Sequence, residues 1–134
     1  FSMLNVLFVC VENACRSQLA EKISNSIYGD KIFAQSAGSQ PAKNVNPKAI
    51  DSLERNGIVV DEIQPKSVTN FSNERFDYVV TMGCGDECPF FPSAKILDWK
   101  IPDPKHMNDD DFDNIRDLIE LKINTELLNG EIKE

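Results

Sequence analysis

Long apolar runs are missing from this chain. The longest near the N-terminus, Val6 to Val11, is far too short to cross a bilayer. No secretory leader pattern precedes it, so no membrane partner and a cytoplasmic location are expected, with Met3 as the native start. Basic residues are in deficit: 14 Lys and Arg against 22 Asp and Glu leave a formal net charge of −8. Binding along a phosphate backbone needs a basic face, so nucleic acid is not an expected partner. A small anion is not excluded, because a local nest of backbone N–H groups with one arginine outweighs a distant acidic surface. Histidine occurs once, at His106, followed by an acidic run and paired with no thiol in sequence. A papain-like Cys/His site therefore has little support, and His106 is expected to be exposed. Internal repeats, low-complexity segments and an interdomain linker are all lacking, which leaves residues 1–134 as one expected domain. A monomer is the expected state, though nothing in the sequence sets it.

What is present is an alternation of short apolar runs and amphipathic runs. Leu4 to Cys10 is short, apolar and rich in Val and Phe, as a buried parallel strand should be. Ser17 to Tyr28 places Leu19, Ile23 and Ile27 on one helical face, with Gly29 in the C′ position. Lys31 to Gln35 is a second strand. Asn46-Pro47 combines an N-cap residue with proline at the first helical position, and Gly57 ends that helix, whose buried face is Ile50 and Leu53. Phe76 to Met82 and Lys95 to Trp99 are the third and fourth strands. Asp109 to Asp111 opens a long helix with the apolar stripe Phe112, Ile115, Ile119, Ile123 and Leu127, stopped at Asn129-Gly130. This pattern predicts an α/β three-layer sandwich around a four-stranded parallel sheet. Ligands of such sheets sit beyond the C-terminal strand ends, where Cys10 closes the first strand.

Four cysteines fall in two close pairs, Cys10 with Cys15 and Cys84 with Cys88. Without a leader, catalytic, redox or metal roles are expected rather than a disulfide framework. "VCVENACRS" (Val9 to Ser17) separates Cys10 from Arg16 by five residues, after a strand and before a helix. The backbone N–H groups of Val11, Glu12, Asn13, Ala14, Cys15 and Arg16 can form a cradle for a tetrahedral oxyanion, with the helix N-terminus behind it. The Arg16 guanidinium can grip two oxygens in a fork. The same field favours a thiolate at Cys10, to which Ser17 can donate a hydrogen bond. A lone C-x5-R is common by chance; the flanking strand, helix and serine give it weight. Cys15 is expected to point away from the cradle and pack as a small hydrophobe. Asp103 lies between prolines in "IPDPK", where it is either a fixed carboxyl acid or an ordinary turn aspartate.

"LFVCVENACRSQLAE" (Leu7 to Glu21) resembles the low-molecular-weight protein tyrosine phosphatase superfamily, and within it the arsenate reductase branch. The similarity continues through "SAG" (Ser36 to Gly38), "NPKAI" (Asn46 to Ile50), "VVTMGCGDECP" (Val79 to Pro89) and "DWKIPDP" (Asp98 to Pro104). The resemblance implies a flavodoxin-like, low-molecular-weight phosphatase fold. It implies Cys10 as nucleophile, Arg16 as oxyanion clamp and Asp103 as general acid. It implies Cys84 and Cys88 as the second and third thiols of a disulfide relay that turns arsenate into arsenite, ending in a Cys84–Cys88 disulfide that thioredoxin or a similar dithiol donor reduces. Only Gly85-Asp86-Glu87 separates those two thiols, a shorter spacer than such members usually have, though C-x3-C can close a disulfide. Gly83 and Gly85 are expected to lend that loop freedom to rearrange. Asn13, Glu21 and Ser36 match positions that hold a monovalent cation in some relatives. The usual further acidic ligand is missing from Pro65-Lys66-Ser67-Val68, where Lys66 can supply the charge instead. The expectation is no tightly bound cofactor, with a monovalent cation as the alternative.

Two other functions remain open at this level. One is a phosphatase for tyrosine phosphate or a small monoester, through a Cys10 thiophosphate. The other is a non-enzymatic metal-thiolate or redox-sensing protein, although all-cysteine zinc sites usually pair ligands as C-x2-C or C-x4-C and would leave Arg16 and Ser17 without a role. Trp99 is expected to pack the loop carrying Asp103, and Phe90 and Phe91 to pack in the core, with a cover for the cysteine loop or a docking surface for a redox partner as the alternative.

Overall fold

In the computed structural model, residues 3–61, 63–83, 91 and 94–129 are described. β1 (Leu4–Cys10), α1 (Arg16–Ile27), β2 (Ile32–Gly38), α2 (Pro47–Arg55), β3 (Tyr78–Thr81), β4 (Lys95–Asp98) and α3 (Asp109–Lys122) follow in chain order. The four strands make one parallel sheet in the order β2-β1-β3-β4. Strands and helices alternate from β1 to β3, and the expected α/β architecture around a four-stranded parallel sheet is present.

β1 is central and buried on both faces, which is why it reads as an unbroken apolar run. Successive side chains point to opposite sides. Val6, Phe8 and Cys10 join the larger core cluster with Leu19 and Ile23 of α1, Leu53 of α2 and Phe112, Ile115 and Ile119 of α3. Leu7 and Val9 join a smaller cluster on the other face with Phe71, Phe76 and Phe91. The sandwich is therefore uneven. Three helices cover one face, while the second layer, among the described residues, is a 3-10 turn at Val68–Phe71 and aromatics from loops. Phe91 packs in the core as expected; Phe90 lies outside the described residues.

Capping explains the helix starts. Asn46 accepts from Lys48 N ahead of Pro47, and Asn108 accepts from Asp111 N ahead of three aspartates that suit the positive end of α3. Gly57 (φ +77°) ends α2 in a conformation glycine adopts at no steric cost. All five stripe residues of α3 are buried, the last two in a π-turn at Ile123–Leu127. Two local expectations are corrected. Ile27 is 41% exposed instead of buried, because it is the last residue of α1 and overhangs the core. Ile50 is only partly buried, and Ala49 takes the inner place beside Leu53.

The order β2-β1-β3 puts crossovers to either side of β1, so the strand order reverses beside β1. Cys10 and the loop 11–15 stand at that switch point.

Candidate active site

The loop after β1 is held by its carbonyls. The oxygens of Cys10, Val11, Glu12 and Ala14 accept from the backbone N–H groups of Ser39, Gln40, Ala42 and Asn46, and that of Cys15 accepts from Leu19 N within α1. No cis peptide occurs among the described residues. In a trans peptide the N–H points opposite to its own C=O. Turning those carbonyls outward therefore turns the N–H groups of Val11, Glu12, Asn13, Cys15 and Arg16 toward the other side. Asn13 shows this directly, since its N–H reaches Cys10 Sγ at 3.3 Å. Gly38 of β2 backs onto the loop: a Cβ there would lie 2.5 Å from Val11 O. α1 begins at the loop with no side-chain cap and no acidic residue in its first turn, so its positive end is left for an anion.

Cys10 is buried at the strand end, and Ser17 Oγ lies 2.9 Å from its sulfur. Hydrogen-bond bookkeeping gives that contact a direction. Lys66 N, which can only donate, reaches Asn13 Oδ1 at 2.8 Å, and Gln18 Nε2 donates to the same oxygen at 3.0 Å. The Asn13 amide is thereby oriented, and its Nδ2 donates to Ser17 Oγ at 2.7 Å and Ser36 Oγ at 3.0 Å. Ser17 accepts that bond, so with a thiolate at Cys10 its own proton goes to the sulfur. Asn13 adopts φ +54°, a left-handed turn that asparagine tolerates, and it is fully buried.

Ser36 in turn donates to Glu21 Oε1 at 2.5 Å. Burial pushes the Glu21 carboxyl up, but the hydrogen bonds from Ser36 and Lys22 and the charge of Lys66 outweigh it and hold the group below the ordinary glutamate value. Lys66 Nζ stands 3.3 Å from Glu21 Oε1. Asn13, Glu21 and Ser36 are thus in one network, and an ammonium group occupies its charged end.

A cavity of about 220 Å³ opens over Cys10, lined among the described residues by Cys10, Val11, Glu12, Ala14, Cys15, Arg16, Asp103 and Lys105. Arg16 Nη1 donates to Ile101 O at 3.1 Å, and its other terminal nitrogen lies 3.8 Å from Asp103. The candidate clamp and the candidate acid are therefore neighbours on one wall. Trp99 is buried against Phe8, with ring centroids 6.0 Å apart, and its ring nitrogen donates to Glu126 at 2.9 Å. It anchors the start of the segment that continues through Ile101 to Asp103. His106 is exposed, as expected.

Cys15 is buried and packs with the larger core cluster, but it does not turn away from the site, because it also lines this cavity. Burial pushes its thiol up to about 11, against an opposing hydrogen bond from Asn46, so it stays protonated at neutral pH. Gly83 differs from expectation as well. Its φ is +96°, and a Cβ there would run into Arg16 Nη1, so glycine makes room for the Arg16 guanidinium rather than simply loosening a loop. Cys84, Gly85 and Cys88 lie outside the described residues. Gln18, Gly38, Gly83 and Lys105 were not singled out as site residues from sequence. Only Gln18 carried a signal, a polar residue beside the apolar Leu19 on the inner face of α1.

Comparison with known proteins places this arrangement. An arsenate reductase of Staphylococcus xylosus is 33% identical over 121 residues, 88% of this chain and 92% of the relative. A glutaredoxin arsenate reductase of Synechocystis is 30% identical over 90% of this chain and 94% of the relative. Among solved structures, the thioredoxin-dependent arsenate reductase of Corynebacterium glutamicum superposes with a TM-score of 0.78 at 32% identity; this chain covers 98% of itself but only 64% of that protein. An arsenate reductase in the phosphate binding state gives a TM-score of 0.83 at 27% identity, over 95% of this chain and 98% of that one. The model of the low molecular weight phosphotyrosine protein phosphatases matches residues 5–134. With its Cys10–Arg16 loop at the switch point of a parallel sheet, the chain belongs to the low molecular weight phosphotyrosine protein phosphatase family.

Proposed function

We propose that the protein is an arsenate reductase. The observation that carries this is the Cys10 sulfur, which receives the Asn13 N–H and faces the Ser17 hydroxyl in a cavity shared with Arg16 and Asp103. Relatives that align over nearly the whole chain are arsenate reductases, whereas phosphatase activity is supported only by the breadth of the family.

Arsenate enters the cradle as a tetrahedral anion, with Arg16 and the inward N–H groups on its oxygens. The Cys10 thiolate attacks arsenic, and Asp103 gives a proton to the departing oxygen, which leaves as water. The resulting thiol–arsenate still holds arsenic in the +5 state. A second thiolate, assigned to Cys84, attacks the Cys10 sulfur. The S–As bond breaks, its electron pair stays with arsenic, and arsenite departs as the Cys10–Cys84 disulfide forms. Attack by Cys88 on the Cys84 sulfur then frees Cys10 and leaves a Cys84–Cys88 disulfide. A thioredoxin- or glutaredoxin-type dithiol supplies the two electrons that reopen it, as the names of the relatives suggest.

Arsenate-dependent consumption of reductant, measured with thioredoxin and with glutaredoxin, tests the activity and identifies the donor. Cys84→Ser should stop the cycle after the first adduct. Sustained turnover by that variant would sink the relay.

We also propose that Lys66 supplies the positive charge that a monovalent cation would bring to Glu21. Wild-type melting should be the same in potassium chloride and tetramethylammonium chloride. Lys66→Met should melt lower, with partial recovery in potassium. A wild type that potassium itself stabilises would show that a cation binds despite Lys66.

A further inference from the structure

Beyond the 220 Å³ cavity over Cys10 lies a second one of about 270 Å³, lined by Glu12, Ala14, Cys15, Ala42, Asn44, Val45, Asn46, Pro47 and Lys105. Glu12, Ala14, Cys15 and Lys105 line both. Ala14 and Cys15 are buried in the loop, whereas Glu12 and Lys105 have half-exposed side chains that meet across the gap. Lys105 Nζ lies 3.4 Å from both Glu12 carboxylate oxygens. The pair joins the oxyanion loop to the Asp103 segment, since Lys105 N also donates to Asp103 Oδ1 at 3.1 Å. It stands in the wall between the two spaces.

We infer that the Glu12–Lys105 ion pair is a specificity latch that confines the cradle to free oxyanions and keeps out organic phosphomonoesters. The inference rests on the oxyanion-cradle reading of the site. A free arsenate or phosphate ion is compact and fits the first cavity alone. An ester or phosphonate carries an organic group on the side where the leaving oxygen meets Asp103. That group must extend past the Asp103–Lys105 segment, toward the second cavity. With the pair closed it meets an ammonium and a carboxylate, which it must part in order to pass. Removing the Lys105 side chain takes away the bridge between the oxyanion loop and the Asp103 segment. The two cavities then merge into a cleft with room for an aryl group.

Protection of Cys10 from alkylation by iodoacetamide, mapped by mass spectrometry, reads occupancy of the cradle without requiring turnover. The probes are inorganic phosphate and phenylphosphonate, a non-hydrolysable monoester analogue. Loss of the Lys105 charge weakens any dianion, so the readout is the ratio of the two protection constants. In the wild type, phosphate should protect at least about tenfold better than phenylphosphonate, and in Lys105→Ala the two should come within about threefold. Lys105→Arg keeps the pair and should keep the wild-type ratio. If phenylphosphonate protects the wild type as well as phosphate does, or if Lys105→Ala keeps the full ratio, the latch is wrong while the cradle stands. If phosphate fails to protect the wild type, the cradle reading itself fails and takes the latch with it.

Discussion

The two loop thiols, five residues apart, share one core cluster and one cavity but differ in their hydrogen-bond partners. Cys10 Sγ accepts from the Asn13 N–H at 3.3 Å and lies 2.9 Å from the Ser17 hydroxyl. Cys15 is surrounded by core side chains, which favour the neutral thiol. The Ser17 hydroxyl is tied through Asn13 and Ser36 to Glu21 and Lys66, and with a thiolate at Cys10 its proton goes to the sulfur. Removing the hydroxyl should therefore weaken the nucleophile without emptying the cradle. Ser17→Ala should slow Cys10 alkylation at neutral pH by about 3- to 10-fold, the loss expected for one hydrogen bond to an anion. Phosphate should still protect Cys10 in that variant. An unchanged alkylation rate would mean that Ser17 does not donate to the sulfur. Much of this site was legible in sequence, because Cys10, Arg16 and Ser17 sit at fixed places between a strand and a helix. Lys105 was not, because nothing local marks a lysine two residues after Asp103 as the partner of Glu12.

At the scale of elements, the site is assembled from the ends of strands. β1 ends in Cys10, β2 ends in Gly38 behind the loop, and β3 leads to Gly83 beside Arg16. Gly83→Ala should strain a backbone at φ +96° and push the Arg16 guanidinium aside. The guanidinium is the far end of a flexible side chain, so the fold should survive with a strain cost of about 1–2 kcal/mol. The anion should lose more, because a misplaced clamp weakens every oxyanion: phosphate protection of Cys10 should fall by about tenfold or more. Equal losses in melting temperature with no change in protection would argue that Gly83 serves only the turn. Helix boundaries were readable because Asn46, Pro47 and Asn108 carry capping chemistry in their own side chains. The exposure of Ile27 was not readable, since an i, i+4 pattern does not say where the covering core ends.

Over the whole molecule, charge ties distant parts together. Asp113 of α3 accepts from Arg55 at 2.7 and 2.8 Å and from Ser52 at 2.5 Å, both on α2, and lies 3.4 Å from Arg116. The Arg55 hydrogen bonds lead in holding its carboxyl down at about 2, against the upward push of burial. Glu21 is held low as well. Both folded values lie below those of the unfolded chain, so the stability they add is complete above about pH 5 and is lost as pH falls through about 4 toward the folded values. Urea midpoints across a pH series should therefore drop on the acid side. Asp113→Asn should lower the melting temperature at neutral pH by roughly 3–8 °C, a deficit that narrows toward about pH 2, where the wild-type carboxyl is also neutral. A deficit that stays constant with pH would mean that the Asp113 charge contributes nothing.

By itself, the sequence determined the α/β class, the ends of most elements and the thiol–arginine loop at the end of the first strand. These rest on local physics: hydrophobic period, caps, and a cradle built from consecutive residues. Only the tertiary structure decided the partners of that loop. Ser39, Gln40, Ala42 and Asn46 turn its carbonyls outward, Lys66 brings an ammonium to Glu21, Gly83 makes room for Arg16, and Lys105 closes on Glu12. Each of these contacts joins residues far apart in the chain, which meet because parallel strands bring their C-terminal ends to one rim of the sheet.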